Sequence, residues 1–155
     1  YNAMNKGVRI AGGEWIIFMN SGDEFHEDFN FDKIFKKRFF DSINVIFGCS
    51  FRPNGQEIYY GNIAGNIKKG IMPFCHQSAF FRAPFEFNEF YKIYSDFDLV
   101  ARLYKFDPDG FYQMMTPICV YDFGGISEDP QFKRAKRVEK FRILADVFGL
   151  KIVLI

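Results

Sequence analysis

The sequence predicts an α/β domain in which a mixed sheet is flanked by helices. Three observations carry this reading. A helix-spaced segment, a glycine pair and a continuous apolar run follow one another at the start of the chain. An Asn-Gly turn joins two strand-like segments in the middle. Beyond them, segments of helical and of strand-like patterning alternate to residue 148. At 155 residues, 48% hydrophobic, the chain can bury one core without disulfide or metal staples, and a single domain is expected.

Ala3, Val8, Ile10 and Ala11 fall close to helical spacing, and Gly12-Gly13 is a plausible stop, so residues 1–11 read as a helix. Residues 14–19 are aromatic and β-branched, bounded by glycines and by Asn20-Ser-Gly-Asp23, which suits a strand buried on both faces. Residues 31–40 put Phe31, Ile34, Phe35 and Phe39 on one face of an amphipathic helix. Residues 44–51 and 57–60 read as antiparallel strands around the turn 52–56, and 78–82 as a shorter strand. A helix from Asp96 to Phe106 follows a capping Ser95, and 111–122 is a strand weakened or bulged at Pro117. Asp129-Pro130 opens the last helix, which runs to about Phe148.

Composition excludes several function classes. Twenty basic residues nearly cancel 19 acidic ones, so nothing draws the whole molecule to a nucleic-acid backbone. Cys49, Cys75 and Cys119 are odd in number and widely spaced, neither a disulfide framework nor a zinc motif, which fits a reducing cytosol. The apolar runs fall well short of the roughly 20 residues a membrane helix needs, and no signal-peptide pattern opens the chain. There is no Walker loop, dinucleotide fingerprint or GxSxG elbow, and no EF-hand spacing.

Four constellations could carry chemistry. The acidic loop 20–28 follows a buried strand, where carboxylates can hold a divalent cation against a phosphate; it reads equally well as a solvated turn. Asp96 and Asp98 open a helix, either as dipole and capping partners of Ser95 or with one of them as a general base. His76 and Gln77 can bind a hydroxylated ligand or serve as structural hydrogen-bonders. A Cys75-His76 nucleophile is disfavoured because neighbours on a strand point to opposite faces. The turn at Gly124-Gly125-Ile-Ser127 can present amides to an anion. The cations 133, 134, 136, 137 and 140 make a solvated helix face or a contact for lipid phosphate.

The order of these pieces resembles family 2 inverting glycosyltransferases of the GT-A fold, especially bacterial enzymes of exopolysaccharide and capsule assembly. The matching blocks are Tyr1-Asn-Ala-Met-Asn-Lys-Gly7, Gly13-Glu-Trp-Ile-Ile-Phe-Met-Asn-Ser-Gly-Asp23, Cys75-His-Gln77, Ser95-Asp-Phe-Asp-Leu99 with Arg102, and Gly124-Gly-Ile-Ser127, over roughly residues 1–130. The resemblance implies transfer of a sugar, with inversion, from a nucleotide-sugar donor to a glycan or polyprenyl-linked acceptor in surface polysaccharide synthesis. It implies a cytoplasmic site with peripheral contact at the inner face of the plasma membrane. Asp96 matches the catalytic base and Asp98 its helix-capping neighbour. Asp23 matches the ligand of Mg or Mn, with Asn5, Asn20 and Ser21 toward the donor. His76, Gln77, Asp98, Arg102, Gly124, Gly125 and Ser127 fall where the family lines its acceptor and sugar pocket. Asn20 and Gly22 stand where the family is usually acidic, which implies a loose metal site. In the family about three strands, which hold the donor's base and ribose, precede the block matched by Tyr1. The resemblance therefore makes this chain the C-terminal portion of such a domain, a partial GT-A fold lacking its first strands. Strand 14–19 would then have an unpaired edge through which copies self-associate. The alternative is a catalytically silent, oligomeric or glycan-binding remnant of the same fold.

Overall fold

The computed structural model describes residues 1–35, 41–58, 61–122, 125 and 129–149. Helix α1, Asn2–Ile10, buries Asn5 and Val8 and ends where Ala11 turns extended, its N–H still bonded to the Gly7 carbonyl at 3.0 Å. Strand β1 is Trp15–Ile16, and β2 is Glu24–Phe25. Helix α2 is Phe31–Phe35, and the remainder of the predicted 31–40 helix, Phe39 included, lies outside the described residues. Strand β3, Val45–Phe51, turns through Arg52–Gln56 into β4, Glu57–Ile58, in antiparallel register, with Ser50 facing Ile58. The turn needs Gly55 at φ +81°, the conformation that made Asn-Gly a hairpin signal. Helix α3, Ile63–Lys68, is capped by Asn62, whose Oδ1 accepts the Gly65 N–H. Strand β5, Ala79–Arg82, follows a single 3-10 turn, His76–Ser78. Helix α4, Ser95–Phe106, strand β6, Phe111–Val120, and helix α5, Lys133–Phe148, complete the order.

The architecture is α/β, with a mixed, curled sheet in the order β1-β5-β3-β6-β2 and β4 beside the far half of β3. Only β3 and β6 pair in parallel; the other described pairings are antiparallel. The pattern at 45–47 explains why this sheet needs cover on both faces. Val45 and Phe47 point into a core with Phe74, Phe97, Val100 and Ile143, while Ile46 points the other way to Ile34, Phe80 and Ile118. Phe80 packs against the rings of Phe29 and Phe35 at 6.2 and 5.2 Å, and truncating such a ring to alanine costs about 3–5 kcal/mol. The irregularity expected at Pro117 is a register shift against β3, around Cys49.

Four expectations are corrected. The strand expected over 14–19 is two residues long and half-buried, because it sits at the margin of the sheet; among the described residues β5 is its one strand partner. The segment after Asp23 is not all loop, since Glu24–Phe25 pairs with β6. Ser95 does not cap α4: it is the first helical residue, Tyr94 holds the cap position, and the Ser95 hydroxyl donates to the Asn88 carbonyl at 2.8 Å. His76 is on a 3-10 turn, not a strand. Helix α3 has no counterpart among the sequence expectations: it contains the weak helix formers Gly65 and Asn66, and its start rests on the cap at Asn62. Among the described residues no helix is long and apolar enough to cross a membrane.

Candidate functional site

A cleft of about 480 Å³ opens where the sheet meets the start of α4, lined by residues from five separated segments. The first is the turn 20–23. The Asp23 N–H closes on the Asn20 carbonyl at 3.1 Å, and Gly22 takes φ +94°, a conformation natural to glycine. A Cβ there would also lie 2.9 Å from Asp122 Oδ2, so this turn passes directly beneath that carboxylate. Asp122 follows β6, and its N–H donates to Asp23 Oδ1 at 2.9 Å.

The 3-10 turn supplies His76 and Gln77. It is anchored from beneath by a buried chain of hydrogen bonds, Ser50 Oγ to Ser78 Oγ at 2.8 Å and Ser78 Oγ to the Cys75 carbonyl at 2.9 Å. The Gln77 amide is fixed at both ends. Its Oε1 accepts from the Cys75 thiol at 2.7 Å and its Nε2 donates to Asp23 Oδ2 at 2.9 Å. The neighbouring Cys119 thiol, together with burial, pushes the Cys75 thiol well up, so it stays a neutral donor.

His76 points the other way. Its Nδ1 lies 3.1 Å from Asp96 Oδ2, with both side chains less than a fifth exposed, and its Nε2 lies 3.4 Å from Asn20 Nδ2. A consistent assignment has Nδ1–H donating to Asp96 and a neutral Nε2 accepting from the Asn20 amide. Asp96 Oδ1 accepts the Phe97 N–H at 2.8 Å and stands 3.3 Å from the Tyr1 hydroxyl, which also reaches the Ile93 carbonyl at 3.1 Å. Burial raises the cost of charge on both partners, yet they shift as an ion pair does. The hydrogen bond and charge of Asp96 outweigh desolvation and raise His76 above 6.5. For Asp96, His76 with the Phe97 and Tyr1 donors outweighs desolvation and lowers the carboxyl below 3.8. Burial beside Asp96 pushes the Tyr1 phenol far up, so it remains a donor.

Of the residues singled out from sequence, Asn20, Ser21, Asp23, His76, Gln77, Asp96 and Gly125 line this cleft. Three lie elsewhere. The Asn5 amide is buried and saturated, donating to the Phe87 carbonyl and Glu89 and accepting the Phe87 N–H, so it ties α1 to the 87–89 loop. Asp98 accepts from Arg102 Nε at 2.8 Å one helical turn on, and Arg102 donates onward to the Glu86 carbonyl; both face a second hollow with Tyr91, Lys105 and Asp146. Gly124 and Ser127 lie outside the described residues. Sequence reasoning missed Tyr1, Lys92 and Asp122 at the cleft. Asp122 was findable, because it ends a strand that pairs in parallel, the rule that selected Asp23. Nothing local signals Tyr1, which meets Asp96 across 95 residues of chain.

The cleft thus gathers carboxylates at Asp23, Asp96 and Asp122, an imidazole, and amides that recognise hydroxyl groups. Such a set can accept a proton and hold a polar, hydroxylated ligand. Among the described residues no three His, Cys, Asp or Glu side chains group as a metal cage. Comparison with protein-family models and with curated proteins finds no match to this chain.

Proposed function

We propose that the chain is a glycosyltransferase of the family 2, GT-A type, which moves a sugar with inversion from a nucleotide-sugar donor to a hydroxyl of a glycan or polyprenyl-linked acceptor in surface polysaccharide synthesis. One observation carries the reading: blocks that are far apart in sequence, 20–23, 76–77 and 96, meet in one cleft. They are the blocks whose order resembles that family. In the reaction the acceptor oxygen attacks the anomeric carbon, its bond to the donor phosphate breaks, and the nucleoside diphosphate leaves in a single displacement. The hydroxyl proton goes to the Asp96–His76 pair, in which His76 holds the carboxylate ionised and oriented. Asn20, whose amide is exposed at the cleft, and the second N–H of the buried Gln77 amide would orient the sugar hydroxyls.

Mg or Mn would be held by Asp23 and Asp122, and when bound it would offset charge on the leaving diphosphate. The donor set suits a hard cation that takes one or two carboxylates and completes its shell with water and phosphate oxygens. Each Asp23 oxygen accepts one described hydrogen bond and keeps a second lone pair, and the Asp122 carboxylate lies beside the same turn.

Calorimetric titration with UDP and GDP, with and without manganese, tests the reading. Metal-dependent binding that is lost in Asp23→Ala is expected. Binding that ignores both manganese and Asp23 overturns the metal role, and absence of any diphosphate binding favours the silent, glycan-binding alternative.

A further inference from the structure

Helix α5 concentrates charge in its first three turns. Positions 133–142 hold six cations, Lys133, Arg134, Lys136, Arg137, Lys140 and Arg142, against one acid, Glu139, in a chain whose formal net charge is only +1. That one acid does not neutralise the outer face. Glu139 turns toward the loop before α4, where its carboxylate accepts the N–H groups of Lys92, Ile93 and Tyr94 at 2.8, 3.0 and 2.9 Å. None of Lys133, Arg134, Arg137, Lys140 and Arg142 forms an ion pair with a described residue.

The outward stripe is not purely cationic. Arg134, Arg137, Val138 and Phe141 stand at i, i+3, i+4 and i+7, so they share one face. Val138 is 46% exposed, and Arg137 lies over the Phe141 ring at 5.7 Å. The stripe widens on one flank through α3. Gly70, at φ +65°, lets the Lys140 stem pass so close that a Cβ would meet it at 2.6 Å, which brings the exposed Lys68-Lys69 end beside α5. Residues 61–72 contain no acid.

We infer that this face, α5 with the end of α3, docks the protein on an anionic lipid surface. Guanidinium and ammonium groups interleaved with valine and phenylalanine on one helix face match a headgroup layer, which rewards phosphate contact and shallow apolar insertion together. A soluble polyanion rewards the charges alone. The loop 92–94 that Glu139 clamps leads straight into the cleft, since Lys92 and Ile93 line it, so docking through α5 engages the helix that secures one wall of that cleft. The inference does not depend on the transferase reading, because vesicle binding needs neither donor nor acceptor.

The test is co-sedimentation of the full chain with vesicles of phosphatidylcholine alone and of phosphatidylcholine mixed with phosphatidylglycerol. Binding to the mixed vesicles only is expected. At roughly fivefold per cation, Arg134→Gln/Arg137→Gln weakens it by about 30-fold, while Lys33→Gln/Lys105→Gln on other elements leaves it unchanged. Val138→Ser, which keeps every charge, weakens it by a smaller factor. These side chains are outward, so circular dichroism of each variant should match the parent. Failure to bind the mixed vesicles, or equal loss in both double variants, overturns the proposal. So does a Val138→Ser variant that binds vesicles unchanged while heparin binds the parent as tightly, an outcome that assigns the face to a soluble polyanion.

Discussion

Asp96 and Asp98 stand two residues apart on the first turn of α4, and both are largely withdrawn from water, yet the fold uses them in opposite ways. Asp96 faces a cleft and is met by donors from two other parts of the chain, His76 and, across 95 residues, Tyr1, and by the amide of its neighbour Phe97. Asp98 faces a different hollow and bonds to Arg102 on its own helix. Their acidities diverge accordingly. His76 and the amide and hydroxyl donors overcome burial and lower Asp96, whereas burial, reinforced by Asp146, prevails over Arg102 and raises Asp98. Helical geometry alone separates them by about 200° around the axis, and the neighbours each direction encounters do the rest. A carboxylate served by several elements is a product of the whole fold, while an i,i+4 pair belongs to one helix.

The largest expected difference is in catalysis. In an assay of sugar transfer to an acceptor, Asp96→Asn should lower the rate by about 10²–10⁴-fold, the range for removing a general base, and Asp98→Asn should leave it within a few-fold. Equal losses in the two variants would erase the distinction. Next in size is an opposition in acid. Asp96 has a folded value below 3.8, so its stabilisation is complete above 3.8 and is lost as pH falls through the lowered value. Asp98 has a folded value above 3.8, so the folded state holds the extra proton and the parent loses stability as pH rises from 3.8 through the raised value. Thermal midpoints relative to Asp96→Asn and to Asp98→Asn should therefore slope in opposite directions across these windows. His76 adds an alkaline limb. Its contribution is complete below 6.5 and fades as pH rises through its raised value, so the parent's advantage over His76→Gln should shrink above 6.5. The smallest effect concerns Arg102, whose side chain is 43% exposed. Arg102→Gln should cost about 1 kcal/mol in chemical denaturation and leave transfer untouched. A transfer defect there would mean that the second hollow also serves the reaction.

Periodicity and turn chemistry made most elements legible. Leu99, Val100 and Leu103 announce α4, Asn54-Gly55 announces the β3–β4 turn, and Pro130 announces the last helix, each through an interaction spanning a few residues. The strand at 14–19 failed for the complementary reason: its residues favour β structure, but strand length depends on a partner, and β5 pairs with only two of them. In the cleft, Asp23, His76, Gln77 and Asp96 stood out by residue type and order. Their connections did not, because the Gln77–Asp23 bond spans 54 residues and the Tyr1–Asp96 contact 95. Asn5 and Arg102 misled because a polar side chain engaged by partners within the fold has the same sequence signature as one awaiting a ligand.

The grip of Glu139 on three consecutive amides has a consequence in time. The loop 92–94 has no ladder or helix of its own to satisfy those N–H groups, and the carboxylate that does so arrives 45 or more residues later. During synthesis from the N-terminus, Tyr1, His76 and Asp96 all leave the ribosome before that partner exists. The cleft is therefore among the last parts of the molecule to be secured, and its final shape waits on the docking of α5.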